Sequence, residues 1–389
     1  MNSLRLILTH KRYFAPAYAF LCLNFVYGTW AIYIPQIKDY LGINKAELGL
    51  AIFAMALGSF ISLIIAPSIN DKLGCGKATS YGIAALCIFG ASPFLATSFL
   101  ALSVTLFFLG MAQGFLDVSM NATVAQMEKD DQVTLMAAMH GFFSLGGVVA
   151  GLGTFLITFF DSALLHISLM IGLIIVFNLS LTRQYRDIAA PKTQKKDGSF
   201  SRLWSLMLIG MICFVVMGSE GAIVDWSGLY LEEIIEAPEY LLGAGFLGFS
   251  VAMTLGRFFG DFLSDKLGSE GVLSLGTFVA FLGYLGVLQP NLNISIAGFS
   301  AIGAGLSVMV PELFRMAGRT KHMSPSRAIA MVAGLGYIGF LTGPVILGFT
   351  ADFYGLRTSY YGLTASIALI GLIALALYFQ AVKNKRDAA

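Results

Sequence analysis

The chain has 389 residues, of which 57% are hydrophobic and 12% are charged. This charged fraction is about half of that in a soluble globular domain, so the composition excludes an ordinary water-soluble protein and indicates a membrane protein. The net charge of +2 is uninformative by itself, whereas the positions of the charges along the chain are informative.

Apolar segments recur along the whole chain. A helix that crosses a bilayer needs about 20 mostly apolar residues. Twelve such segments occur, and the first is too long for the core of a signal peptide, so we expect it to be retained as a membrane helix. The predicted spans are roughly 14–36, 45–68, 78–98, 100–126, 134–159, 162–181, 203–230, 239–262, 270–289, 293–316, 327–350 and 358–381.

Placing successive loops on opposite sides of the membrane separates the basic residues sharply. Of the 24 Lys and Arg residues, all but Lys38, Lys45 and Arg357 then fall on the side that carries both termini. By the positive-inside rule this side is the cytoplasm, and we expect a multi-pass protein of the cell (inner) membrane. The lipid bilayer is an expected partner, and nucleic acid is not.

Two short segments occur twice, about half the chain length apart. Ala54–Phe60 is repeated with two changes as Ala252–Phe258, 198 residues later. Asp71–Gly74 is repeated without change as Asp265–Gly268, 194 residues later. Many secondary transporters consist of two such apolar halves with a solute path between them.

The longest polar segment lies between spans 6 and 7 and is the natural joint between the halves. We therefore predict an all-α membrane protein with an N-terminal six-helix bundle at residues 1–182, a cytoplasmic linker at 183–202 and a C-terminal six-helix bundle at 203–389.

The repeated Asp-Lys-Leu-Gly segments follow spans 2 and 8, where the major facilitator superfamily has its loop motif, G-x-x-x-D-R/K-x-G. The chain resembles this superfamily over essentially its whole length. The resemblance implies two pseudo-symmetric bundles that rock about a central site, motif loops that latch one state, and a monomer. The alternative is that the motif residues are only turn residues and positive charges of the cytoplasmic side. The candidate gating residues are Asp71, Lys72, Gly74, Arg257, Asp261, Asp265 and Gly268, together with Glu312 and Arg315 of span 10.

Spans 1 and 4 also resemble the fucose-permease-like branch of the superfamily. That branch has an acid followed four residues later by Asn in span 4, which matches Asp117 and Asn121. It also has a Pro-Gln pair at the end of span 1, which matches Pro35 and Gln36, although its usual acid four residues earlier is Ala31 here. The resemblance implies proton-coupled transport of a sugar-like solute.

Span 4 carries the clearest polar group inside the membrane. Gln113, Asp117 and Asn121 are spaced by four residues, which places them along one helical face. A carboxylate in mid-span costs about 2.5–3.5 kcal/mol and is functional by default. We expect Asp117 to bind a proton and the two amides to orient it or to bind solute hydroxyls. The alternative is a structural cluster between helices.

Span 7 carries a second polar group. Glu220 is deep enough to lie inside the bundle and is a candidate for proton coupling or solute binding, while Asp225 is nearer the outer face. Trp226 and Tyr230 either stack on a solute ring or belong to the outer aromatic belt, which we favour for Tyr230.

Further candidates lie on spans 1 and 5. Asn24 and Tyr27 share a face of span 1, with Trp30 about one turn further on, and suit a solute with both polar and flat groups. Packing of these rings is the alternative. His140 is near the start of span 5 and either relays protons to Asp117 or makes a structural contact.

The sequence contains no G-x-S-x-G, H-E-x-x-H or Walker-type motif, and its four cysteines are scattered without a CxxC pair. We therefore expect no enzyme, no metal and no cofactor. The leading hypothesis is a proton-coupled symporter of a small polar solute, and the alternative is a proton-driven exporter of a drug or metabolite. A sensor would normally need a signalling domain, for which neither terminus has room.

Overall fold

The computed structural model of the protein describes residues 2–133, 135–159, 162–189, 204–319 and 325–387. This part of the chain is helical and contains no β-strand. Its α-helices are α1 (Asn2–Thr9), α2 (Lys11–Leu41), α3 (Lys45–Leu73), α4 (Cys75–Gly90), α5 (Phe99–Asp131), α6 (Met136–Leu152), α7 (Ala163–Leu181), α8 (Trp204–Glu233), α9 (Ala244–Val287), α10 (Leu292–Leu306), α11 (Met309–Gly318), α12 (Pro325–Tyr354) and α13 (Leu356–Asp387).

Twelve helical segments in the described residues are long and apolar enough to cross a membrane, which confirms the predicted number of spans. Helices α2 to α8 carry spans 1 to 7 in order. Helix α9 is interrupted by the non-helical backbone of Gly268 and carries span 8 before this kink and span 9 after it. Helices α10 and α11 together form span 10, and α12 and α13 carry spans 11 and 12.

The chain forms two compact units. The first consists of Met1–Gln194 together with Pro238–Leu247, and the second of Lys195–Ala237 and Gly248–Ala389. Most of the predicted linker, residues 190–202, lies outside the described residues.

The short segment Pro238–Leu247 is held in the first unit by two hydrogen bonds. Gln36 Nε2 donates to Glu239 Oε1 at 2.7 Å. The backbone N–H of Gly243 donates to Thr154 Oγ1 at 3.0 Å. A Cβ atom at Gly243 would lie 2.7 Å from the Thr154 Cβ atom, so the close approach of this segment requires glycine.

The repeated loop motif ends with the same backbone conformation in both copies. Gly74 ends α3 with a φ of 84°, and Gly268 lies between spans 8 and 9 with a φ of 71°. Residues with a side chain rarely adopt this left-handed region. The two glycines therefore turn the chain in the same place of each copy.

Side-chain caps fix where several helices begin. Asn44 and Glu47 form a capping box at the start of α3. The carboxylate of Glu128 accepts hydrogen bonds from the backbone N–H groups of Leu135 and Met136, which ties the end of span 4 to the start of span 5. The Glu128 cap therefore fixes the end of span 4, the helix that carries Asp117 and Asn121.

Spans 2 and 4 pack backbone to backbone. A Cβ atom at Gly110 would lie 1.8 Å from the carbonyl oxygen of Met55, so only glycine fits at this crossing. The hydroxyls of Ser59 and Ser62 donate to the carbonyls of Gly110 and Met111 at 2.9 and 2.7 Å. Small residues and interhelical hydrogen bonds are the usual means of holding membrane helices together.

We expect Gly110→Ala to destabilise the first unit, because the added methyl group meets backbone that cannot move away. Overpacking of this kind costs about 1–3 kcal/mol. The melting temperature in detergent should fall in Gly110→Ala, and it should not fall in Gly172→Ala, where the new Cβ meets nothing within 4 Å. Equal melting temperatures of the two variants would contradict the packing at this crossing.

Candidate functional site

Asp117 and Asn121 are in direct contact on span 4. Asn121 Nδ2 donates to the backbone carbonyl of Asp117 at 2.8 Å and to its Oδ1 atom at 3.1 Å, and the pair is partly buried. The i, i+4 spacing of the sequence brings the two side chains together because successive turns of a helix stack. The geometry provides one carboxyl group, inside an apolar span, with a neutral amide as its partner.

A second group of polar contacts lies on a different face of span 4. The buried Ser119 donates its hydroxyl to Asn70 Oδ1 at 2.9 Å, and the Thr79 and Thr123 hydroxyls are 2.9 Å apart. Asn70 directly precedes the first loop motif, so Ser119 connects span 4 to the motif segment. This contact was not predicted from the sequence, although a lone Asn in the last turns of an apolar span was a usable signal.

Glu220 and Arg257 are close enough for their charges to interact, and both lie in the second unit. The Oε1 atom of Glu220 is buried and has no hydrogen-bond partner among the described residues. A buried carboxylate is costly without a nearby cation, so Arg257 compensates a charge within the bundle. From the sequence, Arg257 was predicted only as a gating residue at the end of span 8.

Most of the candidate residues on spans 1 and 5 contact neighbouring backbone or aromatic rings. Asn24 Nδ2 donates to the carbonyl of Phe143 at 3.0 Å, and Trp30 is fully buried with its ring edge-on to Phe94. Tyr27 is partly exposed. His140 is exposed, and its ring lies edge-on to Phe20 with centroids 5.3 Å apart.

The aromatic residues of span 7 lie in the interior of the second unit. Asp225 is 2% exposed and Trp226 and Tyr230 are fully buried. The Tyr230 ring packs against that of Tyr360 with centroids 4.3 Å apart. The aromatic-belt interpretation of Tyr230 is therefore wrong, because a belt residue would reach the lipid interface.

Comparison with known proteins decides the family. The family model of the Major Facilitator Superfamily matches residues 17–320 and 230–389. The chain belongs to the major facilitator superfamily.

Similar proteins agree with this assignment. An uncharacterised MFS-type transporter of Yersinia pestis is 30% identical over 351 residues, which cover 88% of this chain and 89% of that protein. Membrane protein MosC of Rhizobium meliloti is 30% identical over 348 residues, which cover 88% and 84% of the two chains. The crystal structure of the nucleoside transporter NupG superposes with a TM-score of 0.72 at 14% identity and covers 95% of this chain and 99% of that one. The family is one of transporters and not of enzymes.

In this member of the superfamily the side chains of the loop-motif aspartates are described only in the first copy. The Asp71 and Lys72 side chains of the first copy are exposed. In the second copy the Asp261 and Asp265 side chains lie outside the described residues. The latch role of these residues remains a prediction.

The second motif is connected to span 10 through Ser264, which directly precedes Asp265. Arg315 donates from Nη1 to the Ser264 hydroxyl, and the same atom lies 3.2 Å from Glu312 Oε1. Glu312 is 2% exposed, so its carboxylate depends on Arg315 for charge compensation. Asn70 and Ser264 hold corresponding places, one residue before the motif aspartate, and each binds a neighbouring span.

We expect Arg315→Met to destabilise the second unit because it leaves the Glu312 carboxylate buried without this partner. Breaking one side of a fully buried ion pair costs about 3–5 kcal/mol, and the loss here should be smaller because the Arg315 side chain is 37% exposed to solvent. The double variant Glu312→Gln/Arg315→Met should recover much of that loss in thermal unfolding. If Arg315→Met, Glu312→Gln and the double variant all unfold at the same temperature, the two side chains do not stabilise each other.

Proposed function

We propose that the protein is a secondary active transporter that moves a small polar solute together with protons, by rocker-switch alternating access. The observation that carries the proposal is the Asp117 carboxyl group, held inside span 4 by the neutral amide of Asn121. The proposal places both termini in the cytoplasm and the protein, as a monomer, in the cell (inner) membrane.

A carboxyl group in this environment suits proton coupling. Its charged form is costly in an apolar span, at about 2.5–3.5 kcal/mol on insertion scales. Any movement that changes the access of water to Asp117 changes the balance between its charged and neutral forms. Loading and release of a proton are thereby linked to the conformation of the bundle.

Glu220 is the second candidate for this linkage. Its protonation would alter the charge balance with Arg257, so that the second unit also has two electrostatic states. His140 is exposed and remains a candidate relay.

The proposed solute class rests on the amide groups of Gln113 and Asn121, which share a helical face with the Asp117 carboxyl group. Gln113 and Asn121 can donate to and accept from hydroxyl groups, which suits the sugar-like solutes implied by the fucose-permease resemblance. The similar fold of NupG, a nucleoside transporter, supports including nucleosides, which combine hydroxyl groups with a flat ring.

Reconstituted transport tests the proposal. Liposomes that contain the protein and a pH-sensitive dye would be presented with sugars, nucleosides, amino acids and cationic drugs, with protein-free liposomes as the control. Proton entry together with uptake of one solute class is the expected result. Solute-driven proton movement in the opposite direction would instead establish the proton-driven exporter, and solute movement without any proton flux would establish a uniporter.

A further inference from the structure

Spans 3 and 6 lie side by side in the first unit. The Ser80 hydroxyl near the start of span 3 is 2.6 Å from the Thr182 hydroxyl near the end of span 6. Further along, a Cβ atom at Gly90 of span 3 would lie 3.6 Å from the Cδ1 atom of Ile171 of span 6. The two helices are therefore antiparallel neighbours.

Span 6 exposes apolar side chains around most of its circumference. Only 22% of its apolar stretch is buried, compared with 89% for span 1. Leu173, Val176, Phe177 and Leu179 are each more than half exposed, and helix α7 contains no Lys, Arg, Asp or Glu residue. An exposed apolar surface of this breadth marks contact with a membrane, so the outer face of span 6 contacts lipid acyl chains.

On each of the two spans the exposed apolar surface ends at a basic residue. On span 6, Leu179 is 69% exposed and is followed four residues later by the exposed Arg183. On span 3, the exposed Lys77 is followed four residues later by Tyr81 and, two turns further on, by Ile88, both of which are exposed. Residues at these spacings share a helical face, so each apolar stripe leads to a cation.

The chain after span 6 is fixed over the start of span 3. The backbone N–H of Gly76 donates to the carbonyl of Ile188 at 3.1 Å. A Cβ atom at Gly76 would lie 1.9 Å from the carbonyl oxygen of Tyr185 and 2.8 Å from the carbonyl carbon of Arg186, so the close approach requires glycine. Because Gly76 directly precedes Lys77, this contact places Arg186 beside the cation of span 3.

The cations Lys77, Arg183 and Arg186, here called the basic group, have little compensation from the protein. The Lys77 and Arg183 side chains are exposed and make no hydrogen bond or ion pair with the described residues. Arg186 Nε lies 3.9 Å from Asp187 Oδ1, and both side chains are more than half exposed, so this pair is weak. The basic group is therefore available to an anion from outside the protein.

We propose that the basic group and the apolar stripes of spans 3 and 6 together bind one anionic phospholipid, of the class of phosphatidylglycerol. Span 3 begins at Cys75 and span 6 ends at Gln184, so the basic group lies at the depth of the lipid headgroups. The lipid phosphate contacts the cations, and an acyl chain lies along the exposed apolar side chains. A soluble phosphate would leave the stripes unused, and a neutral lipid would leave the cations without a counter-charge.

Native mass spectrometry tests this site. The full-length protein in a neutral detergent would be titrated with phosphatidylglycerol and with phosphatidylcholine of the same acyl chains. Tighter binding of phosphatidylglycerol is the expected result. Because each basic residue near an anionic lipid contributes about fivefold in binding, Lys77→Gln/Arg183→Gln should weaken phosphatidylglycerol binding about 25-fold. Binding of phosphatidylcholine should stay unchanged.

Two matched variants separate the site from folding and from net charge. Lys77→Arg/Arg183→Lys keeps both charges and should keep the affinity for phosphatidylglycerol. Arg5→Gln/Lys11→Gln removes two exposed charges elsewhere in the first unit and should keep most of it. Phosphatidylglycerol with a diazirine group on its acyl chain should label spans 3 and 6 in both variants and in the wild type, and this labelling should be lost in Lys77→Gln/Arg183→Gln.

Any of four results would overturn the proposal. Unchanged affinity and labelling in Lys77→Gln/Arg183→Gln would place the lipid elsewhere, and equal binding of the two lipids would remove the role of charge. An equal loss of affinity in Arg5→Gln/Lys11→Gln would reduce the effect to net charge. Displacement of the labelled lipid by glycerol phosphate would make the ligand a soluble phosphate. None of these measurements depends on transport, so they are independent of the proposed function.

Discussion

Asp117→Asn is expected to abolish proton-driven accumulation of solute while leaving solute exchange across the membrane intact. The amide cannot ionise, so the variant stays in the state that a protonated Asp117 would have. Counterflow, in which labelled solute exchanges with unlabelled solute without a proton gradient, requires only the loaded transporter to change its access. It should therefore continue, and the part of its pH dependence that comes from Asp117 should be lost.

The matched control is Asp130→Asn, which makes the same chemical change on the same helix. Asp130 accepts a hydrogen bond from Gln126 at 2.7 Å in an exposed position and is not expected to couple to transport. Accumulation should persist in this variant. Full proton-coupled accumulation in Asp117→Asn would reject Asp117 as the coupling residue, and loss of both accumulation and exchange would assign it to solute binding or to structure.

The number and order of the spans were predictable because they depend on local properties. Length and hydropathy determine whether a helix can cross a bilayer, and both can be counted along the chain. The contact between Asp117 and Asn121 was predictable for a similar reason, since i, i+4 neighbours meet within one helix. The glycines of the loop motif also have a local explanation, because Gly74 and Gly268 adopt a left-handed backbone.

Contacts between helices were not predictable, because they depend on the rotation and tilt of each helix. The bond from Ser119 to Asn70 and the bond from Arg315 to Ser264 join residues 49 and 51 positions apart. No periodicity in a single sequence specifies such a pair. Tyr230 shows the same difficulty, since its position near the end of an apolar span suits an interfacial residue equally well until its buried neighbour Tyr360 is known.

The segment Pro238–Leu247 lies in the C-terminal half of the sequence but is part of the first unit. It forms the beginning of span 8, Glu239–Gly260, yet its contacts place it in the first unit. If the proposed transport cycle moves spans 7 and 8 with the second unit, this segment must detach in every cycle. Its hydrogen bonds to Gln36 and Thr154, and the packing of its buried Phe246 side chain, would then have to break and re-form.

We therefore expect a crosslink between Gln36→Cys and Glu239→Cys to arrest transport. The side chains of these residues are 2.7 Å apart, and a short bifunctional thiol reagent that a reductant can cleave would join them. The native Cys22, Cys75, Cys87 and Cys213 are all buried, so the engineered thiols should react first. Uptake into liposomes should fall by more than about tenfold and return after reduction, because alternating access requires both states.

A crosslink within one helix provides the control for chemical modification itself. Gln126→Cys and Asp130→Cys lie four residues apart on span 4, where their side chains are already in contact, and joining them restrains no movement between elements. Uptake should therefore be retained in this variant. If the crosslink between positions 36 and 239 also leaves uptake unchanged, the segment stays on the first unit throughout the cycle. The movement would then have to occur within span 8, on the C-terminal side of Leu247, where the chain passes into the second unit.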